Sequence, residues 1–137
     1  MSIGYIWSVR EGWGKEAFDK IRSHYNYGYN IARRPKTGDV LVFYSKKKLI
    51  GSIPVDSDSR KVTYEDSKKD PDVRNWKYLV GLDGSRKVVF PSPVEVKNVA
   101  GDISILKGKK NLHNTCRFSP KITMEEYNLI KEKSKKH

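Results

Sequence analysis

The chain has 137 residues and is strongly basic, with 28 Lys and Arg against 16 Asp and Glu and a formal net charge of +12. This length fits one domain, and a hydrophobic fraction of 36% excludes a wholly disordered chain. Cys116 is the single cysteine, which excludes an internal disulfide, and no apolar run approaches the ~20 residues of a membrane span. We expect one cytoplasmic domain over residues 1–137 that makes no membrane contact.

The positive charge favours a polyanionic partner, because a field of this sign concentrates nucleic acid around a small protein. The alternative is a Lys-rich surface that serves only solubility, as in some thermophilic proteins.

The N-terminal third is predicted to form a strand, a helix and a loop. Residues 3–9 are β-branched and aromatic, which is typical of a strand. In residues 15–25 the apolar positions follow helical spacing, at Ala17, Phe18, Ile21 and Tyr25. Asn26 and Gly28 would end this helix, and residues 27–36 would form a loop that is both aromatic and basic.

The middle of the chain is predicted to be mainly β. Residues 40–44 and 49–55 read as strands joined by a lysine turn, with a bulge at Gly51. The polar residues 56–75 are expected to be the least structured internal stretch, with a short strand near 61–64. Asp83 and Gly84 lie between two apolar runs, which predicts a hairpin.

The C-terminal part is predicted to contain a strand and two helices. A strand at 94–99 is predicted after two prolines. Asp102 can cap a short helix that extends to Leu106, and Thr123 and Glu126 form a capping box at the start of the last helix. Ile122 and Tyr127 are placed as the hydrophobic staple of that last helix, and a basic tail is expected to fray from about residue 131. The order predicts an α+β, mainly β fold: a small mixed β-barrel with flanking helices.

Enzymatic and metal chemistry have little support in the sequence. His24, His113 and His137 are scattered, Cys pairs are absent, and no glycine-rich phosphate loop occurs. A thiol–imidazole pair between Cys116 and His113 is conceivable, but we interpret the cysteine as a small buried filler. We therefore expect no catalytic residues, no metal and no cofactor.

The remaining signal is a set of aromatic residues interleaved with basic ones. Tyr27, Tyr29 and Trp76 lie in or beside polar segments, where stacking on a base would explain them. Trp7 fits either the core or a ligand site, whereas Trp13, Tyr25 and Tyr44 are interpreted as core residues. The candidate phosphate contacts are Arg33, Arg34, Lys36, Lys46, Lys47, Lys48, Lys107, Lys109 and Lys110.

Several short motifs along the chain resemble those of EVE domains of the PUA-like superfamily and of their relatives, the YTH domains. The matching segments are Tyr5-Ile6-Trp7-Ser8-Val9 with Trp13, Tyr27-Gly28-Tyr29, Lys36-Thr37-Gly38-Asp39 with the following strand and Gly51, residues 106–111, and Met124-Glu125-Glu126-Tyr127. The resemblance spans nearly the whole chain, through motifs that are each short.

The resemblance implies a PUA-like barrel that reads a modified base in an aromatic cage. Methylated adenine is the usual ligand of YTH domains, and methylated cytosine derivatives are suspected for many EVE domains. By position, the implied base-binding residues are Trp76, Tyr27, Tyr29, Trp7, Ser8 and Asn30, with residues 8–11 reading the base edge. Asn30 stands where YTH domains usually carry a cage tryptophan, so Tyr29 is the substitute aromatic, and the loop from 28 to 36 is shorter than in EVE domains.

Three functions follow in order of preference. The first is a reader of a modified, methylated base in DNA or RNA, either alone or as part of a larger restriction-type protein. The second is a PUA-like RNA-binding protein without modification preference. The third is an ASCH-like ribonuclease that would cleave phosphodiesters with Lys, Arg and Tyr side chains.

Overall fold

A computed structural model describes residues 2–8 and 14–135. The strands are β1 (Gly4–Ser8), β2 (His24–Tyr29), β3 (Val40–Ser45), β4 (Lys48–Lys61), β5 (Tyr78–Asp83), β6 (Val88–Glu95) and β7 (Lys121–Ile122). The helices are α1 (Gly14–Lys20), α2 (Tyr64–Lys69), α3 (Val96–Val99), α4 (Leu112–Arg117) and α5 (Met124–Ser134), with 3-10 turns at Pro71–Asn75, Gly84–Arg86 and Ala100–Asp102. None of the described helices has the length and apolar character needed to cross a membrane.

Seven strands form one mostly antiparallel sheet in the order β2-β5-β4-β3-β1-β7, with β6 also paired to β4. The pair β1–β3 is parallel. The 14-residue strand β4 pairs with β3 and β6 through its first half and with β5 through its second half. Its register shifts after Val55 and after Ser57, where it passes from one half of the sheet to the other. The mixed architecture of helices and strands is confirmed, but helices occupy about as many of the described residues as strands do, so the fold is not mainly β. The sheet among these residues is open, with no pairing between β2 and β7.

The central strands are buried on both faces, which separates two cores. Along β3, Val42 belongs to a cluster beneath α3, α4 and α5, whereas Leu41 and Phe43 belong to a cluster with α1, β2 and β5. Strands covered on both faces read as continuous apolar runs rather than alternating ones, as the sequence of β3 does.

The predicted helix over 15–25 and the loop over 27–36 are partly wrong. Helix α1 ends at Lys20, and residues 24–29 form β2 instead. Tyr25, Tyr27 and Tyr29 alternate with polar or small residues, and this period of two places them on the inner face of a strand. The pairing with β5 outweighs the helical spacing that Tyr25 completes.

Residues 56–75 are more ordered than predicted. Strand β4 continues to Lys61, and α2 then begins at a capping box between Thr63 and Asp66. The hairpin prediction at Asp83-Gly84 is wrong, because β5 pairs with β2 and β4 while β6 pairs with β4 on its own. The 3-10 turn between them carries the chain from one half of the sheet to the other.

The C-terminal predictions are mixed. The capping box at Thr123 and Glu126 is confirmed, and Ile122 and Tyr127 are buried in the same core cluster. The predicted strand at 94–99 is wrong: β6 runs through both prolines to Glu95, and α3 follows. The prediction of a tail that frays from about residue 131 is wrong within the described residues, because α5 continues to Ser134, which is buried.

The bulge at Gly51 is confirmed by a register shift between β4 and β6. A Cβ at this position would meet the ring of Phe18 and the carbonyl oxygen of Val88, so the close approach of α1 and β6 requires a glycine.

Candidate nucleic-acid interface

Strand β2 separates the predicted base-binding residues into two groups. Tyr27 and Tyr29 point into the core, where they are 9% and 5% exposed. Gly28 lies between these tyrosines, so its Hα side belongs to the opposite face of β2. The indole of Trp76 lies directly over this face, so that a Cβ at residue 28 would clash with indole carbon atoms. The expectation of one aromatic cage built from these tyrosines and Trp76 is therefore wrong, since successive residues of a strand face opposite sides.

Trp7 belongs to the buried group. Its ring centroid lies 5.1 Å from that of Tyr29 and 6.2 Å from that of Tyr27, both in edge-to-face arrangements. Burial raises the pKa of the Tyr27 hydroxyl far above its usual range. The Trp7 Nε1 donor is buried and has no hydrogen-bond acceptor within the described part of the chain. This cluster packs as part of the core.

Ser8 and Asn30 are both engaged in hydrogen bonds that hold the fold. The Ser8 hydroxyl donates to the Cys116 carbonyl at 2.7 Å, which ties the end of β1 to α4. Asn30 Oδ1 accepts from the backbone N–H of Lys77 at 2.9 Å, which fixes the chain beside Trp76. The base-edge contacts expected from residues 9–11, and Trp13, lie outside the described residues.

Trp76 is the predicted base-binding aromatic that stands at the surface, with 41% of its area exposed. It lines a cleft of about 470 Å³, which we call the Trp76 cleft. The lining residues are Lys61, Val62, Thr63, Ser67, Arg74, Trp76, Lys77 and Tyr78. They include three cations, and no carboxylate is among the described residues that line it.

The wall of the Trp76 cleft formed by α2 is rigidly held. Arg60 donates two hydrogen bonds to the Asp66 carboxylate, at 2.6 and 2.7 Å, and the same carboxylate accepts from the Thr63 backbone at 2.7 Å. The Arg60 guanidinium, with the Thr63 N–H, holds the pKa of Asp66 well below its usual range. The carboxylate charge is therefore compensated locally and leaves the cleft cations available.

Tyr78 connects the Trp76 cleft to the buried aromatic cluster. Its ring lies 5.6 Å from that of Tyr29, its partner across the β2–β5 pair. The Arg34 guanidinium stacks on the same ring, with Cζ 3.3 Å from the centroid. Arg34 therefore contacts one residue of the cleft lining without lining the cleft itself, and its stacked geometry is typical of a cation–π contact.

The other predicted phosphate contacts are dispersed. Arg33 Nε donates to the carbonyl oxygens of Phe118 and Ser119, at 3.2 and 2.9 Å, so it holds two loops together. Lys36, Lys46, Lys48, Lys107 and Lys109 are exposed. Lys47 and Lys110 are also exposed and line a second cleft at the β3–β4 turn.

Cys116 and His113 do not pair with each other. The His113 Nδ1 atom is 2.7 Å from the Tyr44 hydroxyl. The Cys116 thiol is fully buried, and burial raises its pKa to about 12. A thiol with such a pKa stays protonated at neutral pH, which agrees with its interpretation as a packing residue. Among the described residues, no group of three or more His, Cys, Asp or Glu side chains is placed to hold a metal ion.

The phosphate contacts predicted from the sequence include none of the three cations of the Trp76 cleft. Lys77 follows the tryptophan directly and Arg74 lies two residues before it, and this proximity could have indicated both cations. Lys61 comes from the far end of β4, which the sequence placed in a polar, weakly structured stretch.

No protein-family model matches the chain, and the comparison with curated proteins found no match. The fold is similar to the crystal structure of protein Atu2648 from Agrobacterium tumefaciens, a structural genomics target, with a TM-score of 0.56. The two chains are 20% identical, and the match covers 96% of this chain and 92% of that one. At this identity the likeness concerns the fold alone.

Proposed function

We propose that the chain is a nucleic-acid-binding module in which an unpaired base stacks on Trp76. The observation that carries the proposal is an exposed indole set among Lys61, Arg74 and Lys77 in one cleft. Proteins that bind single strands combine aromatic platforms for bases with cations for the backbone. The net charge of +12 adds long-range attraction for the same partner.

A preference for a methylated base is the finer part of the proposal. It is supported by the apolar lining that Val62 and Tyr78 add to Trp76. Burying one methyl group is worth ~0.8 kcal/mol, so we expect a preference of about fourfold at most from this cleft. A larger preference requires walls that enclose the methyl group on several sides.

A PUA-like barrel is proposed as the fold family. Its support is the course of β4, which bends with two register shifts and belongs to both halves of the sheet, as strands of small barrels do.

The test is a titration of single-stranded DNA and RNA oligomers, unmodified, adenine-methylated or cytosine-methylated, against the protein and its Trp76→Ala variant. We expect the substitution to weaken binding by about 1–3 kcal/mol, the value of one stacked base, and to abolish any methyl preference. Tyr64→Ala is the matched control, because Tyr64 is 74% exposed on α2 and does not line the cleft.

Two results would contradict the proposal. Equal weakening by both substitutions would show that Trp76 has no specific role in binding. Shortening of the RNA oligomer during the titration would favour the ribonuclease alternative over a binding module.

A further inference from the structure

A second cleft lies at the opposite end of β4, beside the turn that joins β3 to β4, and we call it the hairpin cleft. It encloses about 480 Å³, a size found in sites for small ligands. Its lining comes from the hairpin, the β6–α3 junction and the start of α4: Tyr44, Lys47, Glu95, Val96, Lys97, Lys110, Asn111, Leu112 and His113. Lys61 of the Trp76 cleft ends β4, whereas Lys47 precedes its first residue, so the two clefts are separate.

The charge of the hairpin cleft suits a dianion. Three lysines line it against one carboxylate, Glu95, whose Oε2 atom is 3.5 Å from the ammonium of Lys97. This pair leaves Lys47 and Lys110 as uncompensated cations of the lining. A phosphate monoester carries about −1.5 to −2 at neutral pH, which matches two such cations better than the single charge of a phosphodiester does.

A hydrogen-bonded tyrosine–histidine pair lies in the same cleft. The Tyr44 hydroxyl and His113 Nδ1 are 2.7 Å apart, and burial raises the pKa of Tyr44, so the hydroxyl keeps its proton. When this hydroxyl donates to Nδ1 of a neutral imidazole, the other ring nitrogen, Nε2, carries the hydrogen. His113 is then a hydrogen-bond donor whether its ring is neutral or charged.

The turn that presents Lys47 is conformationally costly. Lys46 and Lys47 have φ angles of 50° and 69°, in the left-handed region that favours Gly and Asn. The Lys47 carbonyl oxygen accepts a hydrogen bond from the Val96 N–H at 3.0 Å, which fixes the turn against the cleft wall. A cationic side chain is thus held at a position where a glycine would fit with less strain.

Apart from Asn111, the rest of the lining is apolar. Val96, Leu112 and the Tyr44 ring form a surface that can cover a sugar or a base while the cations bind a phosphate. We propose that the hairpin cleft binds the phosphate monoester of a nucleotide, present either as a free mononucleotide or as the terminal residue of a strand. This inference is independent of stacking in the Trp76 cleft.

The experiment compares adenosine 5′-monophosphate with adenosine, both titrated into the Trp76→Ala variant by calorimetry. We expect the monophosphate to bind at least tenfold more tightly than the nucleoside. Lys47→Gly and Lys110→Ala should each weaken the monophosphate three- to tenfold. Lys109→Ala, next to Lys110 but outside the lining, is the matched control and should change the affinity less than twofold.

Oligomers with a 5′-phosphate, a 3′-phosphate or neither distinguish the two sources of the ligand. If a terminal phosphate raises the affinity of the oligomer by a larger factor than the phosphate of adenosine 5′-monophosphate raises that of adenosine, the ligand is a strand terminus; the reverse order identifies a mononucleotide. The proposal is overturned if phosphate adds no affinity to nucleoside or oligomer, or if Lys109→Ala has the same effect as Lys110→Ala. The oligomers are also titrated into the Trp76→Ala variant, so stacking at Trp76 contributes to none of these results, and this inference and the proposed function can fail separately.

Discussion

At the residue scale, Gly28 shows how one position without a side chain shapes a surface. Gly28→Ala should move the Trp76 indole away from β2, because a Cβ there overlaps with indole atoms. Although Trp76 is still present, we expect this variant to bind the oligomer more weakly. The loss of binding free energy should not exceed the ~1–3 kcal/mol that one stacked base contributes. The change in unfolding free energy should stay within about 1 kcal/mol, because the lost flexibility of the unfolded chain offsets the local strain.

The control for this prediction is Gly101→Ala, where a Cβ meets nothing within 4 Å. Its affinity and its unfolding free energy, measured by urea denaturation, should both remain close to those of the unchanged protein. Unaltered binding by Gly28→Ala would show that the position of the indole does not matter.

Cys116 gives a second prediction, on pH. Its folded-state pKa is raised from 9.0 to about 12, so the unfolded chain loses the thiol proton first as the pH rises. The stabilising contribution is complete below about pH 9 and is lost between 9 and 12, at up to ~1.4 kcal/mol per pH unit. Cys116→Ala should therefore show a smaller loss of unfolding free energy between pH 8 and pH 10.5.

The buried tyrosines titrate in the same direction but are common to both proteins, so the difference reports the thiol. Parallel pH curves for the two proteins would show that the thiol is not desolvated in the folded state.

At the element scale, the β3–β4 turn carries two lysines in a left-handed conformation that lowers the stability of the fold. Replacing Lys46 and Lys47 by Asn and Gly should raise the unfolding free energy by about 1 kcal/mol, because this pair is favoured where both φ angles are positive. Urea denaturation should show a higher midpoint with an unchanged slope. Lys48→Asn, in the adjoining strand, removes a like charge without relieving strain and should give no such gain.

The elements that could be predicted well from the sequence are those whose own residues mark where they begin and end. The last helix begins at a capping box within four residues, and β3 is a continuous apolar run between polar turns. Strand β2 and the end of α1 were not predictable in this way, because Tyr25 fits both a helical stripe and an alternating strand. Pairing with β5, whose residues lie 49 to 59 positions further along the chain than their partners, decides between the helix and the strand.

The same limit applies to the candidate site. Trp76 could be selected from its polar surroundings, and it does stand at the surface. Trp76 is separated from Tyr27 and Tyr29 by the two faces of β2, a strand whose residues the sequence pattern divides between a helix and a loop. The tyrosines looked unusual in a loop but are ordinary core residues in a paired strand.

At the scale of the whole molecule, the position of the charges should determine the salt dependence of binding. Replacing Lys61, Arg74 and Lys77 by Ala should lower the slope of log affinity against log salt by about 2 units for single-stranded oligomers. A triple variant at Lys107, Lys109 and Lys121 removes the same charge from exposed positions outside this cleft. The slope of this control should change by less than half as much; equal changes would mean that only net charge matters.

The pair β1–β7 at one edge of the sheet joins two segments that lie far apart in the sequence, since Gly4 pairs with Ile122 and Tyr5 with Lys121. A ribosome that adds about 5–20 residues per second needs roughly 6–24 s to pass from the first partner to the second. Throughout this time β1, an apolar strand with a buried tryptophan, has no partner on its β7 edge, and such an edge can pair with other nascent chains. Mutations that slow the arrival of β7 should therefore reduce the yield of the protein during synthesis before they reduce its stability.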